Sequence, residues 1–490
     1  MKSICKTLAK RVSALALTAV MAAQTAFAAL PQTAYAANNT ETASAAEASN
    51  SRIEAVCTDY LPQVISYTDP ISGFIHPGVG VTRQILENVR AQVRNGAEPW
   101  KSYFETTLLD NPGVSSRENM GPSWSSGKTL NSQGDNSAFR SDASKAYAQA
   151  VMYFITGDNA YRKNALSIIR AYEENDPESM AYFTDACIHT GIPTYRICIA
   201  AEILRCSTYQ ITNGYTEGDL AWTNGDTEKF ISNFISPNIE VFQSSPDRFM
   251  NQHNYTNIGV MSAALFMDDR EGYEKAVEWF TVNRSAYNQG YNGSILRLFR
   301  EIKTLDEVGQ KEGTGTPLAA PVIQHMEMGR DQAHGCGDLT NAAIMSRLML
   351  AQGTKVDPSA GTVSTASNAV DCYAYLDNRL IKTADFFFEY MLGYDAKWTT
   401  AAFATQPDGT IKDVYASFSA DYRGRYDTIN FWDYYAYYRY TRGMSPEQIK
   451  TEYPYFYEGY QQLKYAAWNN DDSGGDFWLF LPAAAAGDTS

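Results

Sequence analysis

Two short strings gather most of the groups in this chain that could move protons or bind anions. FMNQHNYTNIGV, residues 249–260, carries Asn251, Gln252, His253, Asn254 and Tyr255 in five consecutive positions. MEMGRDQAHGCGDL, residues 326–339, carries Glu327, Arg330, Asp331, Gln332 and His334. The chain has five histidines, and His253 and His334 are the two that lie inside a dense polar string. Amides, imidazole and guanidinium together suit neutralising a carboxylate, which an arginine can grip with two parallel hydrogen bonds. Plainer readings exist for each string. The first could be a polar helix cap, and the second a solvated ion cluster of Glu327, Arg330 and Asp331 with Asp338 capping the next helix. His76, in DPISGFIHPGVG, reads as structural, and His325 has no strong case of its own.

The elements that must position these residues are helical. ASKAYAQAVMYFITGDNAYRKNALSIIRAYEE, residues 143–174, shows apolar residues at three- and four-residue steps on both sides of a TGDNAY turn, which predicts an antiparallel helix pair. MDDREGYEKAVEWF repeats that grammar after the first polar string, and LTNAAIMSRLMLAQG follows the second. Hairpins repeated over some 400 residues predict an all-α (α/α) toroid, with an open solenoid as the runner-up. NQHNY is expected to break the helical pattern at a hairpin end facing the cleft. Segments 303–321 and 352–375 read as long rim loops, and YAAWNNDDSGGDFWLFLP as a small β-like cap near the C-terminus.

Residues 1–36 have a basic start, an apolar run and small-x-small sites ending at Ala28 and Ala36, the pattern of a secretory signal peptide. Residues 37–52 read as a disordered leader, and 53–490 as one catalytic domain in a periplasmic or extracellular monomer. Formal charge is −15, and loss of the four leader cations takes it to −19. That excess of negative charge argues against nucleic acid or an anionic membrane as partner. No later window is apolar enough to insert in a membrane. The six later cysteines show no CxxC spacing, so no zinc site is expected, and no other metal or cofactor is called for. Export permits disulfides, which spacing does not assign, and Cys198 and Cys206, in a helical apolar stretch, suit buried thiols at least as well. Thirty-three tyrosines beside 22 Phe and 8 Trp favour a carbohydrate handler, since rings stack on sugar faces.

Taken in order, NQHNYTNIGVMSAALFMDDREGYEKAVEWF, NGSILRLF, EMGRDQAHGCGDLTNAA and YAYLDNRLIKTADFFFEYMLGY resemble the secreted alginate-lyase-like polysaccharide lyases. The pattern is similar to polysaccharide lyase family thirty-eight and more distantly to family five, over about residues 120 to 445. The resemblance implies an (α/α) toroid and β-elimination at the 4-O-linkage of a uronic acid, hence an anionic polysaccharide substrate such as alginate. It implies His253 as base or carboxylate neutraliser, Asn251, Gln252 and Asn254 as neighbouring polar groups, and Arg330 with Gln332 and His334 across the cleft. Gln252 departs from the asparagine that family five carries before its histidine. No tyrosine follows Arg330 as it does in family five, so Tyr255, Tyr287 and Tyr291 are the candidates. Tyr291 is favoured for its glycine-rich surroundings.

SWSSGKTLNSQGDNSAFRSD adds Trp124, Asn136 and Arg140 as substrate contacts, with Asp142 read as a helix N-cap and Trp124 equally suited to core or lid. Tyr426, Asn430 and Trp432 read as closing the ring. A glycoside hydrolase on the same toroid would instead need two carboxylates flanking the bond. A non-catalytic glycan-binding protein would need only the aromatic surface.

Overall fold

The clearest sequence pattern gives the clearest structure. In the chain, represented by a computed structural model, helix α2 (Gln133–Thr156) ends at Gly157 and α3 (Asn159–Glu173) follows. Gly157 adopts φ +76°, and Asp158 caps α3 by accepting from the Ala160 amide. The same device joins α5 (Met250–Phe266) to α6 (Arg270–Thr281), where Asp269 accepts from the Gly272 amide. The residues described are 52–118, 120–124, 130–287, 289, 292–305, 316–405, 411–425, 431–462, 467–469 and 474–488. Both proposed leader segments lie outside them, except for residue 52.

Two kinds of helix are interspersed along the chain. Helices α1 (Arg83–Arg94), α3 and α6 carry apolar residues on one face, as surface helices do. By contrast α2, α4 (Ala186–Arg205), α5 and α7 (Gln332–Ala351) are buried on nearly every face. The buried helices are neighbours in space: α2 packs on α4, α4 on α5, and α5 on α7. Gly191 permits the closest of these approaches, because a Cβ there would stand 1.9 Å from the Tyr255 carbonyl oxygen of α5. Helix α8 (Tyr375–Met391) completes the longer helices.

Strands are short and all antiparallel: β1 (Tyr67–Thr68) with β2 (Ile75–His76), β3 (Phe299–Leu305) with β4 (Thr316–His325), and β5 (Ala401–Thr405) with β6 (Ile411–Tyr415). They correct part of the loop reading. The described flanks of segment 303–321 form a hairpin in which Phe299 pairs with His325 and Ile302 with Val322. Segment 352–375 is irregular apart from bridges of Val356 to Val363 and Val370, as expected of a loop. The C-terminal cap is not β-like: residues 477–480 and 483–485 form 3-10 turns, with Phe477, Trp478 and Leu479 buried against the helices. All-α describes the fold, and no described helix is long and apolar enough to cross a membrane.

A buried ion group secures the early segment. His76 Nδ1 lies 2.8 Å from Glu202, Nε2 lies 2.9 Å from Asp268, and Arg205 bonds Glu202 at 2.7 Å. Burial opposes a charge on His76, but its two carboxylate partners outweigh that and raise it to about 9. Burial likewise pushes Glu202 up, and Arg205 and His76 outweigh it and hold the carboxyl at about 2. His76 is therefore structural, as its sequence context suggested.

Candidate active site

The two polar strings meet. The first occupies the opening turns of α5, which the polar residues do not interrupt. The second spans the 3-10 turn Met326–Gly329 and the start of α7. Asp331 caps α7 by accepting from the His334 amide at 2.9 Å, and its other oxygen lies 2.5 Å from His334 Nδ1. One carboxylate thus fixes both the helix start and the imidazole. Burial opposes the charge on Asp331, but His334 and Arg330 hold the group below the ordinary aspartate value. The His334 side chain is 24% exposed, and among the described residues its Nε2 has no partner. An anion on Nδ1 leaves the free lone pair on Nε2, the arrangement of a general base.

Arg330 stands beside this pair. Its guanidinium donates to Glu327 at 2.8 Å and to the Asn251 side chain at 3.4 Å, lies 3.9 Å from Asp331, and sits 5.5 Å over the Phe249 ring. Its side chain remains 26% exposed. Phe249 meets Phe403 of β5, which stacks on Tyr415 of β6 at 4.0 Å, so a ring cluster flanks the guanidinium. The Tyr415 phenol has no partner among the described residues. Burial first, then the charge of Glu327, raises its pKa and keeps it protonated.

Beneath Arg330 lies a closed polar cluster. Glu327 accepts from the Asn251 amide at 2.9 Å, and Asp338 accepts from the Asn254 side chain and from His325 Nε2, each at 3.0 Å. Glu327 and Asp338 hydrogen-bond each other, and both are fully buried. Burial, reinforced by their mutual repulsion at Glu327, pushes both carboxyls up. Burial among Phe299 and Phe387 pushes His325 down to about 3, so its ring is neutral.

Several other residues expected at the site are placed elsewhere. His253 is 0% exposed; Nε2 donates to the Trp279 carbonyl at 2.9 Å, Asn283 approaches Nδ1 at 3.4 Å, and burial lowers the ring to about 4. It braces α5 against α6 rather than touching a ligand, because both ring nitrogens are committed inside. Trp124 is 3% exposed and stacks on Tyr172 at 5.0 Å, which makes it core. Asp142 is not a cap: Ser132 caps α2, and Asp142 accepts from the Ser123 and Trp124 amides, pinning that loop.

Asn136 donates to the His189 carbonyl, and Gln332 donates to the Met328 and Ser419 carbonyls, so both amides serve the framework. Asn254 belongs to the cluster under Arg330. Tyr255 is buried with its backbone against Gly191. Gln252 is partly exposed beside the site, and Arg140 is half-buried with its charge felt by His189 and Arg196. Tyr287 is 65% exposed. Tyr291 lies outside the described residues, as do Tyr426 and Asn430. The three groups that sequence reasoning missed are Tyr415, His325 and the carboxyl of Asp338. IKDVYASF offers no signal for the first. The second and third were visible only as neighbours of a motif.

Residues 96–303 match the family model described as alginate lyase. No curated protein matches the chain. The matched span includes the first polar string and ends within β3, before the second.

Proposed function

We propose that the chain, whose residues 96–303 match the alginate lyase model, acts as an alginate-lyase-like polysaccharide lyase and cleaves a polyuronate, alginate or a relative, by β-elimination. Arg330 binds the uronate carboxylate and draws charge from the developing enolate-like intermediate, with Gln252 as a further donor at the rim. His334 Nε2, held by Asp331, takes the C5 proton. Electrons then form the C4–C5 double bond while the C4–O bond breaks, and the Tyr415 phenol protonates the leaving oxygen. The observation carrying this reading is the Asp331–His334 pair with its free Nε2 beside a half-open arginine.

The carboxyls favour elimination over hydrolysis. Glu327 and Asp338 touch, whereas a hydrolase separates its acid and base by roughly 5–9.5 Å around the bond. Helices buried all round, each packed on the next, with one-sided ones interspersed, support closure of residues 53–490 into a single (α/α) toroid. The leader sequence supports export. On a panel of polyuronates, wild-type protein should raise the ultraviolet absorbance of a conjugated uronate, and Arg330→Ala should lose most of that rate. New reducing ends without absorbance would refute elimination.

A further inference from the structure

Glu327 and Asp338 form a contact that ordinary carboxylates cannot make. An ionised carboxylate only accepts hydrogen bonds, so two carboxyls bonded to each other must hold a proton between them. The surrounding donors do not supply one to spare. Asn251 and Arg330 donate to Glu327, while Asn254 and His325 donate to Asp338. His325 cannot bring a second proton, since Nδ1 is buried without an acceptor and ionisation would leave an unpaired N–H⁺ among phenylalanine rings. Both carboxyls are fully buried, and Arg330 is the cation in direct contact with the pair.

We propose that Asp338 is a positioning residue that keeps one proton on its contact with Glu327, so that the charge of Arg330 stays available for the substrate carboxylate. The inference rests on the proposed role of Arg330. While the proton is retained, the pair carries one negative charge balanced by Arg330. Loss of that proton to solvent places a second negative charge one hydrogen bond from the guanidinium, and a bound carboxylate is then disfavoured. The groups facing the pair are His325 from β4, Asn251 and Asn254 from α5, Arg330, Asp331 and His334 from the turn and α7, Tyr415 from β6, and Tyr434. The direction of both carboxyl shifts agrees with a retained proton.

The test is binding of mannuronic acid, a monosaccharide with no linkage to cleave, by calorimetry between pH 6 and 9, which reads Arg330 without turnover. Wild-type affinity should weaken about tenfold as pH rises, since one added charge at contact distance acts on a partly solvated cation. Glu327→Gln, neutral at every pH, should flatten the profile. In Asp338→Asn an amide donates to Glu327, and the pair carries the single charge of Glu327 at every pH, so binding should keep its pH 6 strength up to pH 9. An infrared difference spectrum, wild type minus Glu327→Gln at pH 7, should show a protonated carboxyl band whether or not the variants bind.

A merely structural role would weaken binding equally at all pH values. Parallel profiles in the three proteins, or no such band, would overturn the proposal. If the profiles and band appear as stated but no unsaturated product ever forms, the proton pair stands and the elimination reading fails. Product without the profile would have the opposite meaning.

Discussion

Asp331→Asn separates the two jobs of one carboxylate. As a helix cap, asparagine is about as good as aspartate, so the bond from the His334 amide should survive and the cap's share of stability should change by less than about 0.5 kcal/mol. The second oxygen, 2.5 Å from Nδ1, becomes an amide nitrogen or an uncharged acceptor. With NH₂ facing Nδ1, the ring proton moves to Nε2 and the base is lost. A charge-assisted bond of this kind is worth about 1.5–3 kcal/mol, which places the useful tautomer some 10- to 100-fold lower. The known cost of an amide in place of an aspartate behind a catalytic histidine is about 10⁴, which sets the upper limit. We expect kcat to fall about 10²-fold with KM nearly unchanged, because His334 is partly solvated and can re-equilibrate. Initial rates by product absorbance measure this, and a melting curve checks the fold. A kcat within threefold of wild type, with the melting curve unchanged, would refute His334 as the base.

Two further outcomes follow from the framework. The His76–Glu202 group gives stability a defined pH window. The raised His76 contributes fully below about 6.5 and loses its contribution as pH climbs through 9, whereas the depressed Glu202 contributes above about 4.5 and loses its contribution as pH falls towards 2. Urea unfolding of wild type and His76→Gln across pH 6 to 10 should show the alkaline decline in wild type only. Trp124→Ala should cost about 3–5 kcal/mol by opening a core cavity beside Tyr172, while mannuronic acid affinity measured well below the melting point stays within twofold. A large affinity loss there would restore Trp124 to the substrate path.

How much of this could be read from sequence depended on distance along the chain. Turns were legible, because Gly157, Asp158 and Asp269 act within a few residues, whereas the cap of α2 was read at Asp142 and belongs to Ser132. That the strings at 251–255 and 327–334 are polar for a shared reason was also legible. Which face each residue takes was not. On a helix, successive residues point about 100° apart, so the Asn251 side chain meets Arg330, the Asn254 side chain reaches the carboxyl cluster, His253 turns back onto Trp279, and Gln252 turns outward. Tyr415 lies on the local β5–β6 hairpin, and what brings it to Gly329 and the Phe249 cluster is packing between segments far apart in the chain, which no local pattern encodes. Trp124 illustrates the remaining limit: stacking on a sugar and stacking on Tyr172 demand the same side chain.

The cysteines of the described chain have a practical consequence. Cys57, Cys187, Cys198, Cys206, Cys336 and Cys372 form no disulfide with one another, and burial raises the thiols of Cys198, Cys206 and Cys372, the last to about 12. Thiols held protonated in apolar surroundings neither exchange nor oxidise readily. The fold therefore draws no stability from covalent cross-links among these residues and is indifferent to redox potential. The described chain should mature equally well in a reducing cytoplasm, without oxidants or isomerases, and reducing agents should leave its activity untouched.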